Sequence, residues 1–209
     1  MTRILLVDDH SVVRSGIRQF LSGTDDLEVT AEAENGVEGL ALALQGNFDV
    51  VVLDVTLPDI NGLEVLKRIR RKKPDLPVLI FSMLSEEDFA MPALGSGASG
   101  YLSKDSSPED ILTAIRTVAH GARYVSSFLA EKLLSGNVIT GQHSRHDALS
   151  WREMEVMLLL SKGVSLTNIG KQLHLSVKTV STYRARILGK IGVVSNAEVT
   201  RYVLEHKLG

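Results

Sequence analysis

The sequence predicts an α/β chain, with a doubly wound five-stranded parallel sheet over residues 1–120 and, beyond a linker, a small all-α unit of four helices. Three observations predict it. In the first half, short apolar runs alternate with amphipathic stretches of helical length, the pattern of parallel βαβ units with helices on both faces of a sheet. Past Ser150 no strand pattern recurs. The charge also changes sign: residues 1–120 hold 11 Lys/Arg against 19 Asp/Glu, a net of −8, and residues 121–209 hold 12 against 6, a net of +6, inside an overall −2. An acidic half joined to a basic half implies that only the second meets a polyanion.

The strands are expected at Arg3–Val7, Glu28–Ala33, Val50–Leu53, Val78–Phe81 and Ser99–Leu102, the third and fourth being the most continuously apolar. Helical patterns lie between and after them, near 11–22, 36–45, 61–72, 86–95 and 107–119. Ser107-Pro108-Glu109 supplies an N-cap, a proline at the first helical position and an acid in the first turn. Pro92 falls inside the fourth helical pattern, where its missing N–H should kink or shorten the helix. Residues 121–148 read as a linker, with an extra helix over 126–135 and a polar stretch, Gly136–Leu149, behind it. Ser150 and Glu153 form a capping-box pattern ahead of Met154–Leu160. Three more helices follow near 165–173, 176–190 and 195–206, completing a unit at 149–209.

Composition excludes several chemistries. The chain has 209 residues, 44% of them hydrophobic, and no cysteine, so disulfides, thiolate zinc sites and cysteine nucleophiles are absent. The apolar run Ile4-Leu5-Leu6-Val7 stops at Asp8-Asp9, too short for a signal-peptide core. No stretch reaches the roughly 18 apolar residues of a membrane span. The expectation is a soluble, cytoplasmic protein.

In an open parallel sheet, ligands bind beyond the carboxyl ends of the strands. The residues just after the apolar runs are Asp8 and Asp9, Asp54, Ser82 and Lys104, so three carboxylates, a hydroxyl and an ammonium converge on one rim. Carboxylates crowded together raise one another's pKa. A hard divalent cation relieves that repulsion, and Mg²⁺ suits one or two carboxylates plus waters and phosphate oxygens. By position, Asp54 is the nucleophile toward a phosphoryl donor. Asp8 and Asp9 hold the metal, with the Thr56 carbonyl completing the set. Lys104 and Ser82 meet the phosphoryl oxygens. A single strand ending in a polar residue means little; five matched positions on ordered elements carry the argument.

These residues resemble the response-regulator receiver family, a flavodoxin-like fold, over about residues 2–120. The matching segments are Leu5-Leu6-Val7-Asp8-Asp9-His10, the run from Val51 to Gly62 through Asp54, Thr56, Pro58 and Asp59, Phe81-Ser82, and Gly97 to Lys104. The resemblance implies a histidine-kinase phosphodonor, phosphorylation of Asp54, bound Mg²⁺, and a switch in which Ser82 moves toward the phosphoryl group while Tyr101 turns inward. Two positions depart from the usual pattern. Met83 directly after Ser82 is bulky and is expected to narrow access to the acyl phosphate, and Asp105 follows Lys104 where many receivers carry proline.

In the basic half, Ser176 N-caps the stretch Val177–Ile191. At 100° per residue, Val180, Tyr183, Ile187 and Ile191 share an inward face. Lys178, Thr182, Ala185, Arg186 and Gly189 lie opposite, with Ser181 at the border. Small residues let a helix sit deep in the major groove, while Arg or Lys reaches guanine or phosphate. Arg184 falls near the packed face and is expected to snorkel toward a phosphate. With the helix at 165–173 first and His174-Leu175 as the turn, this is a helix-turn-helix whose second helix reads DNA. The residues expected to contact DNA are Lys178, Thr179, Ser181, Thr182, Arg184, Ala185, Arg186 and Lys190.

The segment Leu149–Glu198 resembles the LuxR/FixJ-type DNA-binding domain through Leu149-Ser150-Trp151-Arg152-Glu153, Gly163, Ile169, Leu173, the run Leu175–Tyr183, and Lys190-Ile191-Gly192-Val193. Trp151 stands where Thr is common, and Gly170 where Ala is common, at a cost of up to about 1 kcal/mol of helix propensity. Together the two halves resemble NarL/FixJ-family two-component response regulators. That implies a non-enzymatic transcription regulator that binds paired DNA half-sites as a homodimer and is restrained when unphosphorylated. Ala197, Val199, Tyr202 and Val203 serve either that dimer or the small core. Three rivals stand at this level: a phosphoryl-transfer enzyme using Asp54, which lacks a second acid at Thr56; a module acting through protein contacts alone; and a regulator that binds DNA without phosphorylation, which the intact acidic set argues against.

Overall fold

The structure, a computed structural model, describes residues 1–84, 86–134, 145–173, 175–206 and 208. The chain divides into two compact units, Met1–Ser135 and Gly136–Gly209. Of the expected linker, 135–144 lie outside the described residues, as does His174 of the expected tight turn.

The first unit holds five strands, β1 (Thr2–Val7), β2 (Leu27–Ala33), β3 (Val50–Leu53), β4 (Val78–Ser82) and β5 (Gly100–Ser103). All neighbours pair in parallel, in the order β2-β1-β3-β4-β5. Helices α1 (Ser11–Leu21), α2 (Gly36–Gln45), α3 (Gly62–Lys72), α4 (Glu86–Gly95) and α5 (Pro108–Ala119) connect them. Every side chain of β3 is buried, as expected for a strand covered on both faces. Ile4 and Leu6 of β1 pack with Ile17 and Leu21 of α1 and with Ala114, Ile115 and Val118 of α5 in one core. On the other face α2 runs so close that a Cβ at Gly39 would lie 2.6 Å from a Val7 methyl. Pro92 does not shorten α4, which runs over the span expected for it.

The chain order places the functional rim. From β1 it passes to β2 at one edge and returns to β3 on the other side of β1, so β1 and β3 flank the point where winding reverses. Asp8 and Asp54 are the residues that follow these two adjacent strands.

Beyond α5 the chain stays with this unit. Tyr124 forms a parallel bridge with Gly100, its N–H donating to the Ser99 carbonyl at 2.9 Å. The following α6 (Ser127–Leu134) buries Leu129 and packs against α4.

The second unit opens with a 3-10 turn at Arg145–Ala148 and holds α7 (Trp151–Ser161), α8 (Leu166–Gln172), α9 (Val177–Ile191) and α10 (Asn196–Glu205). Each helix has a serine N-cap accepting a backbone N–H: Ser150, Ser165, Ser176 and Ser195. The capping box of Ser150 and Glu153 is complete in both directions. Val156, Met157, Ile169, Val180, Ile187, Ile191 and Val199 form its interior. Gly192, at φ +72°, ends α9 in the left-handed conformation that favours glycine.

Candidate functional site

Asp8 and Asp54 are buried at the sheet's carboxyl rim, 0% and 2% exposed. The Lys104 ammonium bridges them, with Nζ 2.6 Å from Asp8 Oδ2 and 2.8 Å from Asp54 Oδ2. Three elements therefore meet at one charge: the ends of β1, β3 and β5. The other Asp54 oxygen, Oδ1, accepts the Thr56 N–H at 3.2 Å. Burial pushes the Asp54 carboxyl up to about 6, aided by the charge of Asp8 and opposed by Lys104 and the Thr56 amide. Burial alone would depress the Lys104 ammonium, but Asp54 and Asp8 outweigh it and hold its pKa above the usual lysine value.

Asp8, Asp9, His10 and Asp54 each place a ligand atom within 4.8 Å of the others. His10 Nδ1 lies 3.1 Å from Asp8 Oδ1 and 2.8 Å from Asp9 Oδ1. Asp8 Oδ2 and Asp9 Oδ1 are closed to solvent, the first against the Lys104 ammonium and the second against the His10 imidazole, so three carboxylates share one fixed cation. Carboxylate oxygens withdrawn from water and incompletely satisfied are the donors a hard divalent cation takes, so the residues present fit Mg²⁺.

Ser82 is fully buried at the end of β4, and its Oγ accepts the Leu84 N–H at 3.3 Å. Tyr101 is 1% exposed and turned inward, its hydroxyl donating to the Leu84 carbonyl at 2.8 Å. Both side chains thus bind the backbone of Leu84, one at its N–H and the other at its carbonyl. Met83, expected to narrow access, is 64% exposed and directed largely into solvent.

Other contributors to the rim went unrecognised in the sequence. Gly62 begins α3 against the Asp54 backbone, where an added Cβ would sit 2.0 Å from the Asp54 carbonyl oxygen. Only a residue without a side chain permits that approach. Asp59 accepts the Gly36 and Val37 N–H groups at 2.7 and 2.8 Å, tying the β3–α3 loop to the first turn of α2. Burial would raise its pKa, but these amides hold it below the usual carboxylate range. Arg14, on the buried face of α1, donates to the Asp8 carbonyl at 2.7 Å. Its signal was legible: Arg14, Ile17 and Leu21 form the buried stripe of α1, and a cation there breaks the pattern.

In the second unit α9 presents the expected faces, except that Tyr183, expected inward, is only half-buried. Val180, Ile187 and Ile191 are buried, while Lys178, Ser181, Thr182, Ala185, Arg186 and Gly189 are exposed and Thr179 is half-buried. Thr179 Oγ1 lies 2.8 Å from the Ser176 hydroxyl, and Thr182 donates to the Lys178 carbonyl. Two of the expected contacts are engaged within the unit. Arg184 Nε donates to Asn196 Oδ1 at 2.6 Å, and Lys190 Nζ lies 2.5 Å from Glu153 Oε2. Of the α10 residues, Val199, Tyr202 and Val203 are buried in the core, and Ala197 is exposed. Gly170 has a steric reason: a Cβ there would meet the Leu175 carbonyl oxygen at 2.7 Å.

A phosphoacceptor-type rim on a 2-1-3-4-5 parallel sheet, followed by a helix-turn-helix, defines a class of signal-responsive DNA-binding proteins, and comparison with known proteins agrees. Residues 4–116 match the response regulator receiver domain, and residues 147–203 match the luxR family of bacterial regulatory proteins. The chain belongs to the two-component response regulators with a LuxR-type DNA-binding domain, and is a transcription regulator. It is 34% identical over 209 residues to the response regulator UvrY of Escherichia coli K12, covering 100% of this chain and 96% of that one. It is 38% identical over 206 residues to the response regulator GacA of Pseudomonas protegens, covering 99% and 97%. Among solved structures it resembles RcsB of Salmonella enterica serovar Typhimurium bound to promoter P1flhDC in the presence of phosphomimetic BeF3⁻, with TM-score 0.67, 26% identity, and 97% and 98% coverage. Among the described residues no helix is long and apolar enough to cross a membrane.

Proposed function

We propose that Asp54 accepts a phosphoryl group from a cognate sensor histidine kinase or phosphotransfer protein in the cytoplasm, and that this modification promotes dimerisation and operator binding. The observation that carries the reading is the single ammonium of Lys104 held between the buried carboxylates of Asp8 and Asp54. An Asp54 carboxylate oxygen forms the new P–O bond as the donor's P–N bond breaks, and the leaving imidazole keeps the electron pair. Lys104, already in ion-pair range of Asp54, stays beside the added negative charge. The Ser82 hydroxyl donates to a phosphoryl oxygen, giving up its bond with the Leu84 N–H, and Tyr101 keeps the same segment anchored from its other side. Asp8, Asp9, Asp54 and the Thr56 carbonyl would hold Mg²⁺, which when bound offsets carboxylate and phosphoryl charge.

For the second unit, α9 enters the major groove of operator DNA with Lys178, Ser181, Thr182, Ala185 and Arg186 foremost. Thr179 and Lys190 lie on one flank of the helix and Arg184 on the other, and Arg184 and Lys190 must first leave Asn196 and Glu153 to reach a phosphate. RcsB, its structural relative, is seen on promoter DNA together with a phosphomimetic, which supports coupling between the two events in this chain as well.

A small-molecule phosphodonor with Mg²⁺ should label the wild type and leave Asp54→Asn unlabelled, with a matching rise in dimer fraction and operator affinity only for the wild type. Equal labelling of both proteins overturns the site. Labelling without any change in DNA affinity overturns the coupling.

A further inference from the structure

We propose that Arg14 is a positioning residue for the Mg²⁺ site, fixing the two metal-binding aspartates through the peptide that joins them; the proposal rests on the reading of that site given above. Arg14 is 7% exposed in a helix stripe otherwise made of Ile17 and Leu21. A cation withdrawn from water is tolerable only when its donors are paired. Its guanidinium is paired on three sides: Nε donates to Glu32 Oε2 at 3.1 Å, one terminal nitrogen contacts Glu34 Oε1, and the other donates to the Asp8 carbonyl at 2.7 Å.

The third bond is the informative one. The Asp8 carbonyl and the Asp9 N–H share one rigid peptide plane. Holding that carbonyl sets the directions from which both the Asp8 and the Asp9 side chains depart. Glu32 is the penultimate residue of β2 and Glu34 directly follows the strand, so the guanidinium braces the β1–α1 turn against its neighbour. Arg14 also donates its own backbone N–H to the His10 carbonyl, closing the same turn from the helix side. The planar fork suits this task because it satisfies three acceptors in one plane, which an ammonium on a flexible stem does not.

Charge and position give opposite signs, and that makes the inference testable. As a charge alone, Arg14 repels a dication, so its removal should tighten Mg²⁺ binding. As a positioning group, its removal should weaken binding by about tenfold or more, the usual loss when an outer partner of a metal ligand is deleted. The experiment is calorimetric titration of the full chain with Mg²⁺, beside thermal unfolding without metal, for wild type, Arg14→Ala, Arg14→Lys and Glu34→Gln. Glu34 has a side chain 70% exposed, so its substitution probes the brace with little threat to folding. Weaker Mg²⁺ binding in Arg14→Lys, which keeps the charge and loses the fork, together with a smaller loss in Glu34→Gln, supports the proposal. Unchanged or tighter Mg²⁺ binding in folded Arg14 variants overturns it, even if they melt earlier. If Arg14→Ala does not fold, Arg14→Lys, which holds the charge constant, decides by the same criterion. A wild-type protein that binds no Mg²⁺ overturns the underlying site reading instead.

Discussion

The acid rim of the first unit and the reading face of the second are both charged, yet they are built on opposite principles. The rim draws Asp8, Asp54, Ser82 and Lys104 from four different strand ends, buries their side chains, and sets one ammonium between two carboxylates, leaving a net negative charge for a cation. The face of α9 draws Lys178, Ser181, Thr182, Ala185 and Arg186 from one helix and leaves them exposed. A site assembled across strands depends on the whole sheet and is disturbed by changes at a distance. A face carried on one helix responds locally, residue by residue. A protein switched by chemistry at one end and read out by binding at the other needs this division, because the reacting groups must be fixed and dry while the binding groups must meet a wet, charged surface.

The largest expected effect that would break this contrast lies at Gly62, which contains no functional group. Gly62→Ala should destabilise the first unit by about 1–3 kcal/mol, the usual cost of overpacking, and should reduce acyl-phosphate formation by displacing the Asp54 backbone. Chemical denaturation followed by phosphodonor labelling measures both. A stable, fully labelled variant would mean that the rim is less tightly assembled than its geometry indicates.

On α9 the expected losses are of similar size in binding but leave the fold intact. Arg186→Ala or Lys178→Ala should weaken operator binding by about 1–3 kcal/mol if the side chain reads a base. A phosphate contact should instead reduce the salt dependence of log K by about one counterion. Titration of a labelled operator at several salt concentrations separates the two. Lys190→Ala sharpens the comparison, since it should cost stability through Glu153 as well as affinity.

A smaller effect tests the turn between α8 and α9. Helix propensity favours Gly170→Ala by up to about 1 kcal/mol, but its Cβ meets a backbone carbonyl rather than a flexible side chain. The variant should therefore unfold at lower denaturant concentration than the parent, and a rise would show that the turn yields.

The smallest effect concerns acid. Burial would raise the Glu153 pKa, but Lys190 and the two donors of Ser150 outweigh it and hold the carboxyl below its usual value. A depressed folded-state pKa means that this stabilisation is present above the unfolded-state value, about 4.3, and is lost as the pH falls through the lower folded value. Stability of the second unit measured from pH 6 down to pH 3 should fall less steeply in Glu153→Gln than in the parent.

Strands and helices were legible because continuous apolar runs and a 3.6-residue apolar period are written directly in residue order. The rim was legible because strand ends are where an open parallel sheet binds, so Asp8, Asp9, Asp54, Ser82 and Lys104 were found by counting from apolar runs. What pairing alone reveals was not legible. Asp59 looks like a loop acid until α2 is seen to begin on it, and Gly62 looks like a helix start until the Asp54 carbonyl is seen against it. Lys190 and Arg184 are cations on the reading helix and so were expected at DNA, but their partners Glu153 and Asn196 lie on other helices, 37 and 12 residues away. The role of α10 was open for the same reason: only packing assigns Val199, Tyr202 and Val203 to the core.

The bridge between Tyr124 and Gly100 bears on where this protein can be cut. β5 is the outermost strand on its side of the sheet, and such margins invite pairing with another chain. Here the peptide leaving α5 covers part of that margin, and Leu129 closes the apolar ground next to it. A fragment ending at residue 120 would strip both away and should self-associate through the bared strand. One ending at 134 should remain well behaved at the same concentration.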